Sequence, residues 1–89
     1  MPQINVPTAY RGPTQGQPEI TARGATVREC LDDAGRQFPG FAEQIFDSGG
    51  KVQRFVTLFL NGEEIDRGDV DVAIAETDSI EILVAVAGG

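Results

Sequence analysis

Thr26-Val27-Arg28-Glu29-Cys30-Leu31-Asp32-Asp33-Ala34-Gly35-Arg36-Gln37-Phe38 is the stretch that decides how this chain folds. Val27, Cys30, Leu31, Ala34 and Phe38 recur at helical spacing and form one apolar stripe, while Arg28, Glu29, Asp32, Asp33 and Arg36 cover the rest. Thr26 and Glu29 have the spacing of a capping box, in which each side chain satisfies a backbone N–H that the helix start leaves free. Asp32 and Arg36 stand four apart and are able to pair. Pro39-Gly40 stops the helix, whose thirteen residues give a rod of about 20 Å, long enough to lie diagonally across a small sheet. Cys30 falls inside the stripe and reads as a buried core thiol.

On the N-terminal side, Ile4-Asn5-Val6 and Glu19-Ile20-Thr21-Ala22 alternate as strands. Between them Gly12-Pro13-Thr14-Gln15-Gly16-Gln17-Pro18 is dense in turn formers, so the two strands are expected to pair antiparallel around it. On the C-terminal side, Phe41, Ile45 and Phe46 suggest a helical turn, and Asp47 to Lys51 a loop. Arg54 to Leu60 is the strongest strand, and Asn61-Gly62 is the preferred pair for a type I′ hairpin into Glu63-Glu64-Ile65. Asp66 to Thr77 is acidic connecting structure, with Val70, Val72 and Ile74 expected to reach back to the core. Asp78-Ser79 opens the last strand, Ile80 to Val84. The order β-β-α-β-β-β, with one helix on one face of a mixed sheet of four to five strands, fits an α+β β-grasp (ubiquitin-like) roll. Residues 1–84 are expected to form this domain and residues 85–89 a flexible tail.

Alternation separates the two sheet faces. Val56, Leu58 and Leu60, with Ile80, Ile82 and Val84, make the all-aliphatic set expected inside. That leaves Phe55, Phe59 and Leu83 toward solvent on neighbouring strands, a candidate docking patch rimmed by charge. The competing reading is that Phe41 to Phe46 covers it.

Eighty-nine residues make one small domain, which buries only about 60–65% of its unfolded surface and has no room for a deep enzyme cleft. Fourteen acidic against seven basic residues give a net charge of −7. This argues against nucleic acid and anionic membrane surfaces and favours a partner with a basic face. The chain has one cysteine and no histidine, so an internal disulfide, a thiolate zinc site and a histidine-based catalytic arrangement are excluded. No residue is read as catalytic and none as a metal ligand. Met1-Pro2-Gln3 lacks the features of a secretory signal, and no segment approaches the ~20 apolar residues needed to span a bilayer. A soluble protein of a reducing compartment, the cytoplasm, is expected.

The sequence ends at Gly88-Gly89, directly after the apolar stretch Ile82 to Ala87. Glycine has no Cβ, so Gly89 would carry an unhindered carboxylate through a channel too narrow for other residues. Six extended residues reach up to ~20 Å, enough to place that carboxylate deep inside a partner.

Several of these segments resemble the MoaD/ThiS family of ubiquitin-like sulfur carriers. They are Gly24-Ala25-Thr26-Val27, Phe38-Pro39-Gly40, Arg54-Phe55-Val56 leading to Asn61-Gly62-Glu63, Asp78-Ser79-Ile80-Glu81-Ile82, and Val86-Ala87-Gly88-Gly89. Val6-Pro7-Thr8, Arg11 and Gly16-Gln17 further resemble the actinobacterial carriers that serve cysteine biosynthesis. The resemblance implies first and last strands lying parallel at the sheet centre. It also implies that an E1-like enzyme adenylates Gly89 with ATP, and that sulfur then replaces AMP to leave a thiocarboxylate. Val86, Ala87 and Gly88 would be the tail gripped by that enzyme, and the carrier would be a protein cosubstrate with no bound cofactor. A sulfur-accepting synthase would be the second partner and a recycling metalloprotease a third. Cysteine or a sulfur-containing metabolite is the implied destination. The small subunit of molybdopterin synthase, a protein modifier joined through Gly89, a plain interaction module and an autonomous enzyme are the alternatives.

Overall fold

Alternating burial along its longer strands builds the sheet in the computed structural model, which describes residues 1–85. The expected tail residues Val86, Ala87, Gly88 and Gly89 lie outside the described residues. The elements are β1 (Gln3–Asn5), a 3₁₀ turn (Thr8–Tyr10), β2 (Glu19–Thr21), α1 (Val27–Gln37), α2 (Phe41–Ile45), β3 (Val56–Leu60), β4 (Glu63–Ile65) and β5 (Ser79–Val84). The sheet order is β2-β1-β5-β3-β4. β1 runs parallel to β5 with Ile4 opposite Ile80, and β3 runs antiparallel to β5 with Leu58 opposite Ile82. This mixed sheet with one main helix on a single face is a ubiquitin-like β-grasp fold.

The core forms where the apolar stripe of α1 meets one sheet face. Ile4, Val56, Leu58, Ile80 and Ile82 from the sheet and Val27, Cys30, Leu31 and Ala34 from α1 are all at most 1% exposed. Burial at that level stabilises by roughly 1.5–3 kcal/mol for each large aliphatic side chain. Leu60 and Val84 pack at the margin of this set.

Phe41, Ile45 and Phe46 are also buried in the core. α2 therefore packs on the helix side and leaves the opposite sheet face bare. Asn61 and Gly62 both have positive φ, 52° and 86°, as a type I′ turn requires.

Several local expectations are corrected. The helix has 11 residues, and Phe38 is its half-buried C-cap. The ion pair of Arg36 is with Asp33 at 3.2 Å instead of Asp32. Asp33 is the carboxylate already oriented, because its Oδ2 accepts from the Arg23 N–H at 3.0 Å and from Gln37 Nε2 at 2.7 Å. In the capping box, Thr26 Oγ1 accepts from the Glu29 N–H at 3.2 Å. The Glu29 carboxylate accepts from Ala25, one residue before the cap, at 2.9 Å. β3 begins at Val56 rather than Arg54, since the Val56 N–H still closes a turn to Gln53.

Val72 does not reach the core and is 38% exposed; its backbone is what the fold uses. The Val72 carbonyl accepts from the Val27 N–H at 3.1 Å and the Val70 carbonyl from the Arg28 N–H at 2.8 Å. With Thr26 on Glu29, these satisfy the free amides of the first helical turn. The loop before β2 is more ordered than its composition suggests. Tyr10 is buried, and Thr14 is fully buried with its hydroxyl between the carbonyls of Arg11 and Gln17.

Candidate functional site

β5 is hydrogen-bonded on both sides, to β1 and to β3, and is the last regular element described. A central strand is held by two ladders, so the point at which the chain leaves it is fixed. The Ala85 N–H donates to the Phe55 carbonyl at 2.8 Å, one step past the last register pair, Val56 opposite Val84. Residue 85 therefore leaves the sheet beside the start of β3.

The predicted patch sits at this exit. Phe55 is 45% exposed and Leu83 is 47% exposed. Leu83 lies opposite Thr57, which places Phe55 and Phe59 at its two diagonals on the same face. Phe59 is only half-buried rather than freely exposed. It stands in register between Glu81 of β5 and Glu64 of β4, with Asn5 and Glu19 continuing the row across β1 and β2. The bare face is thus an apolar spot bordered by carboxylates.

Beside Leu83 and Glu81, an open groove of about 530 Å³ runs on past Asn5 to Thr8 and Arg11. Arg11 is oriented there by donating from Nε to the Val6 carbonyl at 3.1 Å. Reading the residues for chemistry missed Thr8 and Arg11 as members of this face. Their only signal was the resemblance carried by Val6-Pro7-Thr8 and Arg11, because the strand pattern stops before them.

Cys30 is fully buried, with its Sγ 3.8 Å from the Gly24 carbonyl. Burial pushes its thiol up, and the Asp33 and Glu29 carboxylates push it further. The neutral thiol is favoured, and it faces the core. Among the described residues no group of three or more Cys, Asp and Glu could hold a metal ion, and no helix is long and apolar enough to cross a membrane.

What the described residues can do is present an exposed apolar surface, beside Ala85, to another protein. A β-grasp domain with a bare apolar face at the exit of its central last strand defines a ubiquitin-like protein. Residues 5–89 match the model of the ThiS family, and the chain belongs to that family. It is 38% identical over 89 residues to the sulfur carrier protein CysO of Mycobacterium tuberculosis, covering 97% of this chain and 96% of that one. Among solved structures it matches a chain of the Amycolatopsis orientalis BexX/CysO complex with a TM-score of 0.91 at 31% identity, over 100% of both chains. It also matches Mycobacterium tuberculosis CysO with a TM-score of 0.88 at 35% identity, over 97% of this chain and 100% of that one. SAMP1 of Haloferax volcanii, at 20% identity and a TM-score of 0.84, shares the fold over 99% of this chain and 98% of that one.

Proposed function

We propose that this chain is a sulfur carrier that works as a protein cosubstrate, with the Gly89 carboxylate as the group acted upon. The observation that carries this reading is the family match running through Gly89, together with 38% identity to a sulfur carrier over 96% of that protein's length. The bare face around Phe55 and Leu83, next to the exit at Ala85, supports it. A partner seated there would lie beside the chain leading to Val86, Ala87, Gly88 and Gly89.

The chemistry follows from the carboxylate. A carboxylate resists attack by a sulfur nucleophile. An E1-like adenylyltransferase would transfer AMP from ATP to one Gly89 oxygen, releasing pyrophosphate, and a sulfur donor would then displace AMP. The AMP carries that oxygen away, and the chain retains a thiocarboxylate. The thiocarboxylate sulfur would then attack the substrate of a synthase in the making of cysteine or a sulfur-containing metabolite. A metalloprotease that removes a spent adduct would return the carrier. ATP and the acid–base groups belong to the partners in this scheme, which fits a chain with no histidine and a buried cysteine. Its setting is the reducing cytoplasm.

The test is intact-mass analysis after incubation with the cognate activating enzyme, ATP and a sulfur source. The expected result is a mass gain equal to one oxygen replaced by sulfur, located on Gly89, with release of AMP and pyrophosphate. No mass gain with an enzyme that is active in ATP–pyrophosphate exchange would overturn the reading.

A further inference from the structure

The charge of this chain is distributed against its sum. Four of its seven cationic side chains, Arg28, Lys51, Arg54 and Arg67, line one open cleft of about 640 Å³ between the start of α1, the loop before β3 and the turn after β4. A second groove of about 160 Å³ adjoins it and shares Arg54, Asp66 and Arg67, so these two arginines stand where the grooves meet.

Asp47, Asp66 and Asp71 also line the larger cleft and Glu64 the smaller one, four carboxylates to the four cations, but Asp47 and Asp66 are occupied by backbone. Asp47 Oδ1 accepts from the Gly49 and Lys51 N–H groups at 2.9 and 3.0 Å, and Asp66 Oδ1 accepts from the Gly68 N–H at 3.5 Å. Among the described residues the one ion pair within 4.0 Å is Arg36 with Asp33, at another place on the helix. None of the four cleft cations is therefore paired with a carboxylate there. Arg28 is held in place by stacking over Phe46, 4.8 Å from the ring centroid, and by donating to the Gly50 carbonyl. Arg28 thus has a defined position and none of the four cations has a carboxylate partner, while two of the four carboxylates beside them, Asp47 and Asp66, are engaged by backbone N–H groups.

We propose that this double cleft is a docking site for a carboxylate-rich segment of a partner protein. Guanidinium forks match carboxylates in bidentate geometry. The cations come from three separate segments along two adjoining grooves, which suits an extended acidic peptide whose charges are spaced along it. The other ten acidic and three basic residues lie elsewhere, so this charge-balanced cleft is where an acidic segment meets the least repulsion. Arg54 is adjacent to Phe55, whose carbonyl holds Ala85. A segment bound here would therefore lie beside the residue from which the chain leaves the sheet.

The experiment is an amide-resolved NMR titration of the full chain with a synthetic peptide of about eight residues alternating glutamate and serine. A glutamine–serine peptide, inorganic phosphate and ATP serve as comparison probes. Arg54 and Arg67 are exposed, so replacing them leaves the core intact. The expected result is shifts at Arg28, Lys51, Arg54 and Arg67 with the glutamate peptide, weakening with added salt. Arg54→Gln with Arg67→Gln raises Kd about tenfold, and Arg23→Gln with Arg36→Gln changes it less than about twofold. Equal shifts from the glutamine peptide, stronger shifts from phosphate or ATP, or equal binding by the Arg54/Arg67 variant would each overturn the proposal.

Discussion

The Ala85 N–H donates to the carbonyl of Phe55 at 2.8 Å, and this single bond ties the last described residue of the chain to the residue that begins the exposed apolar patch. Ala85 and the exposed apolar face therefore form one structural unit. A partner seated on Phe55 and Leu83 would lie beside Ala85.

That coupling predicts the behaviour of a Phe55→Ser, Leu83→Ser variant. Both side chains are largely exposed, so stability should change by no more than about 1 kcal/mol. Removing two apolar anchors from an interface should raise KM for this chain in the adenylation reaction about tenfold. Pyrophosphate release measured against carrier concentration checks this, and an unchanged KM would remove the patch from recognition.

Gly24 is required by close approach rather than by its backbone angle. A Cβ built there lies 2.6 Å from the Cys30 nitrogen and 2.8 Å from the carbonyl carbon of Glu29, both backbone atoms of α1. Gly24→Ala must push the segment before the helix outward, at a cost of about 1–3 kcal/mol. A urea melt with an unchanged slope and a lower midpoint is the expected result.

Acid should destabilise the fold through two identifiable carboxylates. The Arg23 N–H, then Gln37 and Arg36, hold Asp33 below the usual carboxylate range. The Ala75 N–H and Asn61 do the same for Asp78. A folded-state pKa below the unfolded one gives stability that is fully present above about pH 4 and is lost as pH falls through the folded value. Urea midpoints measured from neutral pH downward should fall in that window. Asp33→Asn should start less stable at neutral pH and lose less on acidification.

Cys30 should be inert in the native state. Its side chain is fully buried, and burial with the nearby carboxylates raises its pKa. Alkylation at mildly alkaline pH should be slow in buffer and fast in denaturant, at the rate of global or local opening. The linkage has the opposite sign to that of the aspartates. Any stability that depends on the neutral thiol is complete below the unfolded pKa of about 8.5 and declines as pH rises beyond it. Rapid native alkylation would show the α1–sheet contact to be open.

The sequence by itself determined the helix, its start at Thr26, its apolar stripe, the Asn61-Gly62 hairpin and the inward set on β3 and β5. These are local rules: periodicity, capping and turn chemistry operate over a few residues and need no partner from far along the chain. The resemblance carried the parallel pairing of β1 with β5, which no periodicity encodes. Only the tertiary structure decided what distant segments do to one another. It placed the carbonyls of Val70 and Val72 on the first turn of α1, turned Val72 outward, and gave Arg36 to Asp33 because Arg23 and Gln37 had already oriented that carboxylate. It also brought Thr8 and Arg11 to the groove beside Leu83, and gathered Arg28, Lys51, Arg54 and Arg67 into one cleft on a chain whose net charge is −7. Charge adds along a sequence without regard to position, whereas a binding surface depends on which charges the fold makes neighbours.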